Sequence, residues 1–171
     1  WDAASKTWSV RRTYPHALTV AAVPGKNAAL AATAGQIGLW QLLAGGPLLG
    51  DFRGLSTIDS TATPLEVATW RSRPGGALDR AAVVIGAPRG GDTWETQLRF
   101  VDLAAERVLP ESATLWSGPL RVVSIAASPN GEILAASGNE QNDVLVYRTA
   151  DLLNGRARPV QVLHGSGLAP R

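Results

Sequence analysis

Three stretches of the chain are copies of one another. Residues 18–42 read LTVAAVPGKNAALAATAGQIGLWQL, residues 122–152 read VVSIAASPNGEILAASGNEQNDVLVYRTADL, and residues 67–103 form a looser third copy. Each runs in the same order: an alternating strand, a Pro/Gly turn, a small-residue strand, a loop, and a strand closing on an aromatic or Val. A unit of this size cannot bury its apolar face alone, so it must stack on its neighbours as a repeat array.

The last copy is the clearest. Val122, Ser124 and Ala126 share one face of an extended run and Val123, Ile125 and Ala127 the other, the two-residue period of a strand. With both faces apolar or small, an inner strand packed on both sides is expected. Ser128-Pro129-Asn130-Gly131 follows, and Asn-Gly between two apolar runs predicts a type I′ hairpin. Residues 132–137 return as a second strand and 143–148 (DVLVYR) supply a third. Residues 159–163 (PVQVL) supply a fourth, with Pro159 suited to an edge. The same pattern predicts strands at 28–33 and 37–42 in the first copy. In the middle copy it predicts strands at 67–72, 81–86 and 97–103, with a longer loop over 87–96. Residues 43–66 read as an insertion, within which 50–53 can extend a fourth strand.

With these residues in place, the chain resembles WD40-repeat β-propeller blades. Ser128-Pro129-Asn130-Gly131 is similar to the family's first turn. Trp1-Asp2 matches its closing dipeptide, Trp40-Gln41 keeps the Trp, Val101-Asp102 keeps the Asp, and Tyr147-Arg148 keeps an aromatic. Two of the three intervals between these positions fit a blade of about 40–45 residues; the middle one is longer. The family's Gly-His pair and loop Asp are altered here: His16 lacks the preceding Gly, Leu163-His164-Gly165 inverts the order, and residues 34–36 contain no Asp. The resemblance implies an all-β fold of four-stranded antiparallel propeller blades. The trailing strands of one blade are expected at 1–16, followed by blades at 17–55, 56–118 and 119–171. Three blades and part of a fourth fall short of the usual ring, so an incomplete segment of a larger propeller is expected. The opening at Trp1, in a chain without Met, is in keeping with that.

Chemistry finds little footing. There is no cysteine, and His16 and His164 are the only histidines. A thiol nucleophile is therefore excluded, and neither histidine sits in a motif that would activate a serine. No catalytic, cofactor-binding or metal-ligating residues are assigned. The net charge is +2, with Arg11-Arg12 and Arg156/Arg158 as small separated clusters, so no nucleic-acid stripe is expected. No apolar run reaches the roughly 18 residues that cross a bilayer, and nothing fixes the compartment. The Ala/Arg/Gly-rich composition is compatible with a bacterial gene.

The candidate partner-binding residues are Arg89, Asp92 and Trp94, in the Gly-rich stretch RGGDTWET. An aromatic on such a loop is a natural anchor for a partner, although Trp94 can equally open the next strand and pack down. Trp1, Trp40 and Tyr147 are expected as core anchors, Trp8 and Trp116 on outer strands, and Trp70 between blades. The resemblance implies a non-catalytic binding or scaffold module for a protein or peptide, with the remaining blades of the chain as its other partners. The alternative is a propeller segment of a larger enzyme, carrying a hydrolase site or regulating a fused kinase or protease.

Overall fold

Alternation of apolar residues dominates the chain, and strands dominate its structure. The computed structural model describes residues 17–165 except 24–25, 43–48, 74, 120–122 and 139–142. The expectations for Trp1, Trp8, His16 and the strands of 1–16 lie outside the described residues.

The first sheet holds β1 (Ala17–Val23), β2 (Ala28–Thr33), β3 (Gln36–Leu42) and β4 (Leu49–Thr57). The second holds β5 (Thr63–Trp70), β6 (Arg80–Gly90), β7 (Thr93–Asp102) and β8 (Arg107–Gly118). The third holds β9 (Ser124–Ala127), β10 (Ile133–Ser137), β11 (Val144–Arg148) and β12 (Gln161–Leu163), with the short helix α1 (Thr149–Leu153) before β12. Each sheet is an antiparallel meander in chain order. The first strands adjoin in succession, β1 against β5 and β5 against β9. Three four-stranded antiparallel sheets stacked through their leading strands are propeller blades, and the fold is all-β.

Two apolar cores hold the stack, one in each gap. The period of two divides the middle sheet between them. Ala81, Val83, Ile85, Val101 and Leu103 face the first sheet, where they meet Val23, Leu30, Ile37 and Leu39. Ala82, Val84, Leu98 and Phe100 face the third sheet and meet Leu134, Ala136, Tyr147 and Leu152. β6 is therefore buried continuously from Ala81 to Gly86, as a strand covered on both faces must be. β9 differs from expectation. Ser124 and Ala126 are exposed while Ile125 and Ala127 pack on the core, because among the described residues an apolar neighbour lies on one side of it only. Charged contacts join the first two sheets at the rim: Lys26 Nζ lies 3.1 Å from Glu106 Oε1, and Arg53 also reaches Glu106.

Three sequence expectations are corrected. Residues 87–96 are not a loop: β6 runs to Gly90 and β7 starts at Thr93. Alternation there is masked by Gly, Pro and charged residues, yet the ladder continues through Ala87↔Glu95 and Pro88↔Trp94. The stretch 43–66 is not a plain insertion: it contains β4 and the opening of β5, which bears out the alternative that 50–53 extends a fourth strand. The Asn130-Gly131 turn is not type I′, because only Gly131 has positive φ, at 69°. The Gly131 amide donates to Ser128 O at 2.8 Å. Ser128 Oγ donates to Asn130 Oδ1 at 2.7 Å and accepts from the Ile133 amide at 3.0 Å. Side-chain bonding of this kind lets Ser and Asn set the turn themselves.

Helix α1 was not expected either. It takes the place of a tight turn between β11 and β12 and inserts Leu152, fully buried, against the core and β8. Asn154 and Gly155 close it: Gly155 has φ 71° and its amide donates to Leu152 O at 2.9 Å. That is the usual way a left-handed glycine ends a helix.

Candidate functional site

The residues singled out from sequence lie at the tip of the β6–β7 hairpin. β5 pairs with β6 as far as Thr63↔Gly86, whereas β6 and β7 remain paired to Gly90↔Thr93. The hairpin thus overreaches the inner strand, and β8 supports it from outside through Trp94↔Gly118 and Thr96↔Trp116. Gly91 and Asp92 make the two-residue connection. Gly91 has φ 55° and Asp92 does not share the positive sign, the pattern of a II′ turn with glycine first.

Arg89 and Asp92 are exposed, and Trp94 is half-buried. Arg89 Nη2 is paired with Glu95 Oε2, and Gln97 Nε2 donates to the same oxygen at 2.8 Å. The hydrogen bond from Arg89, then that from Gln97, hold the Glu95 carboxyl below its ordinary range, and the same bond raises Arg89. Opposed residues of neighbouring strands point to one face, so the register places Trp94, Thr96 and Trp116 together on one face of the sheet. Trp116 packs at the edge of the core. The structure therefore brings Arg89, Asp92 and Trp94 together as a turn and its flanks. Trp94 belongs to a strand rather than a free loop. Glu95, which sequence reading passed over, is what holds Arg89; the hairpin register was the missing signal.

Elsewhere, Trp40, Trp70 and Tyr147 are buried. The Trp40 and Phe52 rings meet edge to face, with centroids 5.5 Å apart. Burial pushes the Tyr147 hydroxyl up to about 12. Trp70 packs between blades, over the Gly131 turn of the third sheet. Asp102, at the end of β7, binds Arg80 Nη1 at 2.5 Å and accepts from the Ala105 amide at 2.9 Å. Burial alone would raise this carboxyl, but the Ala105 amide and Arg80 outweigh it and hold Asp102 below 3.8. In the third sheet, His164 Nδ1 lies 3.0 Å from the buried Asp143. The inverted Leu163-His164-Gly165 order thus still brings a histidine to an aspartate ahead of the third strand. Among the described residues, no three His, Cys, Asp or Glu side chains converge as a metal would require, and no helix is long and apolar enough to cross a membrane.

No family model matches the chain, and no curated protein matches it. Among solved structures it is similar to Kluyveromyces lactis Hsv2, at 10% identity and a TM-score of 0.33 over 87% of this chain and 54% of that one. A variant with loop 6CD replaced by a Gly-Ser linker matches at 10% identity and a TM-score of 0.35, over 86% and 56%. The chain thus spans a little over half the length of the solved structures it matches.

Proposed function

We propose that these blades form a non-catalytic, WD40-like binding module that presents the β6–β7 tip to a protein or peptide partner. The carrying observation is that the hairpin continues to Gly90 past the last β5 pair at Gly86. An ordered aromatic and a guanidinium already held by Glu95 are thereby placed at its end. Two buried cores fix the sheet beneath them, so little order remains to be gained on association, which is where binding by mobile loops loses affinity. Aromatic and Arg anchors are the residues that dominate such interfaces.

The test is selection of binders from a displayed random-peptide library against the purified protein, followed by affinity measurement on variants. Trp94→Ala is expected to weaken a group of selected peptides by about tenfold or more, the order of an interface hot spot. Glu111→Ala, on the exposed part of β8, should leave them unchanged. If every peptide binds Trp94→Ala, Arg89→Ala and Asp92→Ala as it binds the parent, the tip is not the binding surface.

A further inference from the structure

We propose a second site, at the opposite end of the middle sheet: the cleft between the second and third sheets binds a short acidic peptide segment through one apolar anchor residue. β6 begins at this cleft with Arg80 and ends at the tip with Gly90. At about 3.3 Å per residue the two sites lie roughly 30 Å apart. The site is therefore independent of the reading above.

The cleft encloses about 490 Å³, within the range that takes a side chain with its flanking backbone. Trp70, Ile133, Ala150 and Leu153 supply apolar wall. Thr149 also lines it. This residue is 95% buried, and its hydroxyl has no hydrogen-bond partner among the described residues. A buried hydroxyl left so is costly. Arg80 is already committed to Asp102.

The choice of an acidic occupant comes from the adjoining surface. Arg148 lines the well and also a second cleft of about 450 Å³, which it shares with Arg156, Arg158 and Asp151. None of the three arginines forms an ion pair among the described residues. The acidic groups facing them are Asp151 in the second cleft and Glu132 at the well, so the combined rim retains a surplus of guanidinium. An apolar well bordered by free forked donors is complementary to an aliphatic or aromatic residue flanked by carboxylates. α1 builds both parts, since Ala150 and Leu153 line the well while Asp151 lines the rim.

The experiment is fluorescence anisotropy with three labelled short peptides: one Leu flanked by Glu on both sides, the same Leu flanked by Lys, and Ser in place of Leu between Glu residues. The first is expected to bind at least about tenfold more tightly than the other two, and less tightly as salt rises. Arg148→Glu and the pair Arg156→Glu/Arg158→Glu should each weaken it by about tenfold or more. Ala150→Leu, which narrows the well from an exposed helix position, should weaken it similarly. Trp94→Ala should leave it unchanged. Equal binding of the Glu and Lys peptides, indifference to the arginine changes, or no saturable binding below about 1 mM would each overturn the proposal.

Discussion

Gly131 shows how one residue can answer to two constraints at once. Its φ of 69° is costly for any residue with a Cβ, by about 1–2 kcal/mol. A Cβ there would also lie 2.0 Å from Trp70 Cδ1 on the neighbouring sheet. Gly155 shares the backbone conformation, at φ 71°, but the nearest atom to its added Cβ is Ser112 O at 3.8 Å. Gly131→Ala is therefore expected to destabilise by about 3 kcal/mol or more, backbone and overpacking terms together, and Gly155→Ala by about 1 kcal/mol. Urea unfolding of the two variants separates the terms; equal losses would mean that Trp70 moves aside freely. Asp102 makes a second residue-scale prediction. Its folded-state value is depressed, so the stability it adds is present above the ordinary value of 3.8 and is lost as pH falls through the folded value. Asp79, where burial is outweighed by the Ser72 bonds and the Arg80 charge together, is also depressed and acts in the same direction. Asp102→Asn should cost about 1–2 kcal/mol at pH 7, and that difference should shrink as the parent is acidified below pH 3.8. A gap that stays constant down the acid limb would show that the Arg80–Asp102 pair adds nothing.

Among the elements, the middle sheet and the closing strand of the third sheet stand at opposite extremes. β6 and β7 share a ladder from Arg80↔Asp102 to Gly90↔Thr93; β6 is buried on both faces through its centre, while β7 alternates buried Thr96, Leu98 and Phe100 with half-buried Gln97 and Arg99. β12 has three residues, all exposed, and among the described residues it pairs on one side, with β11. Local opening follows burial and ladder length. Amides of Val83, Val84, Leu98 and Phe100 are therefore expected to exchange orders of magnitude more slowly than those of Val162 and Leu163. Exchange measured by mass spectrometry or NMR checks this, and comparable rates would mean that the chain opens as a single unit. The β6–β7 tip also shows the limit of pattern reading. Across 87–96 the residues A-P-R-G-G-D-T-W-E-T carry the marks of a loop, while the register makes them the end of a hairpin. Support from β8 and the Arg89–Glu95 pair keeps the ladder going where propensity would end it.

At the scale of the whole molecule, two cores share one sheet. Leu134 belongs to the core between the second and third sheets, and Ile37 to the core between the first and second. Leu134→Ala should cost about 2–5 kcal/mol and Ile37→Val about 0.5–1.5. Because the two sites share no partner, the double variant should match their sum within about 0.5 kcal/mol. Leu134 and Tyr147, by contrast, are opposed in the β10–β11 ladder. Leu134→Ala combined with Tyr147→Phe should depart from additivity more than the first pair does. Denaturant titration of the single and double variants decides; strong coupling between Ile37 and Leu134 would mean that the middle sheet transmits strain from one gap to the other.

The all-β class, the four-strand repeat and the leading strands could be read from the sequence, because alternation and turn residues are local properties that each copy carries; the propeller-blade unit was implied by the resemblance to WD40 repeats. Val83 and Val84 show the same for facing: adjacent in the chain, they fall into different cores as a strand's period demands. What only the tertiary structure decided depends on partners far along the chain. Gly131 is needed for Trp70 as well as for its own turn. Arg80 is held by Asp102, and Arg89 by a residue across a hairpin that the composition conceals. The apolar well exists because α1 and the β9–β10 turn of one sheet meet Trp70 of another. No single repeat contains that surface, since it forms only when two of them stack.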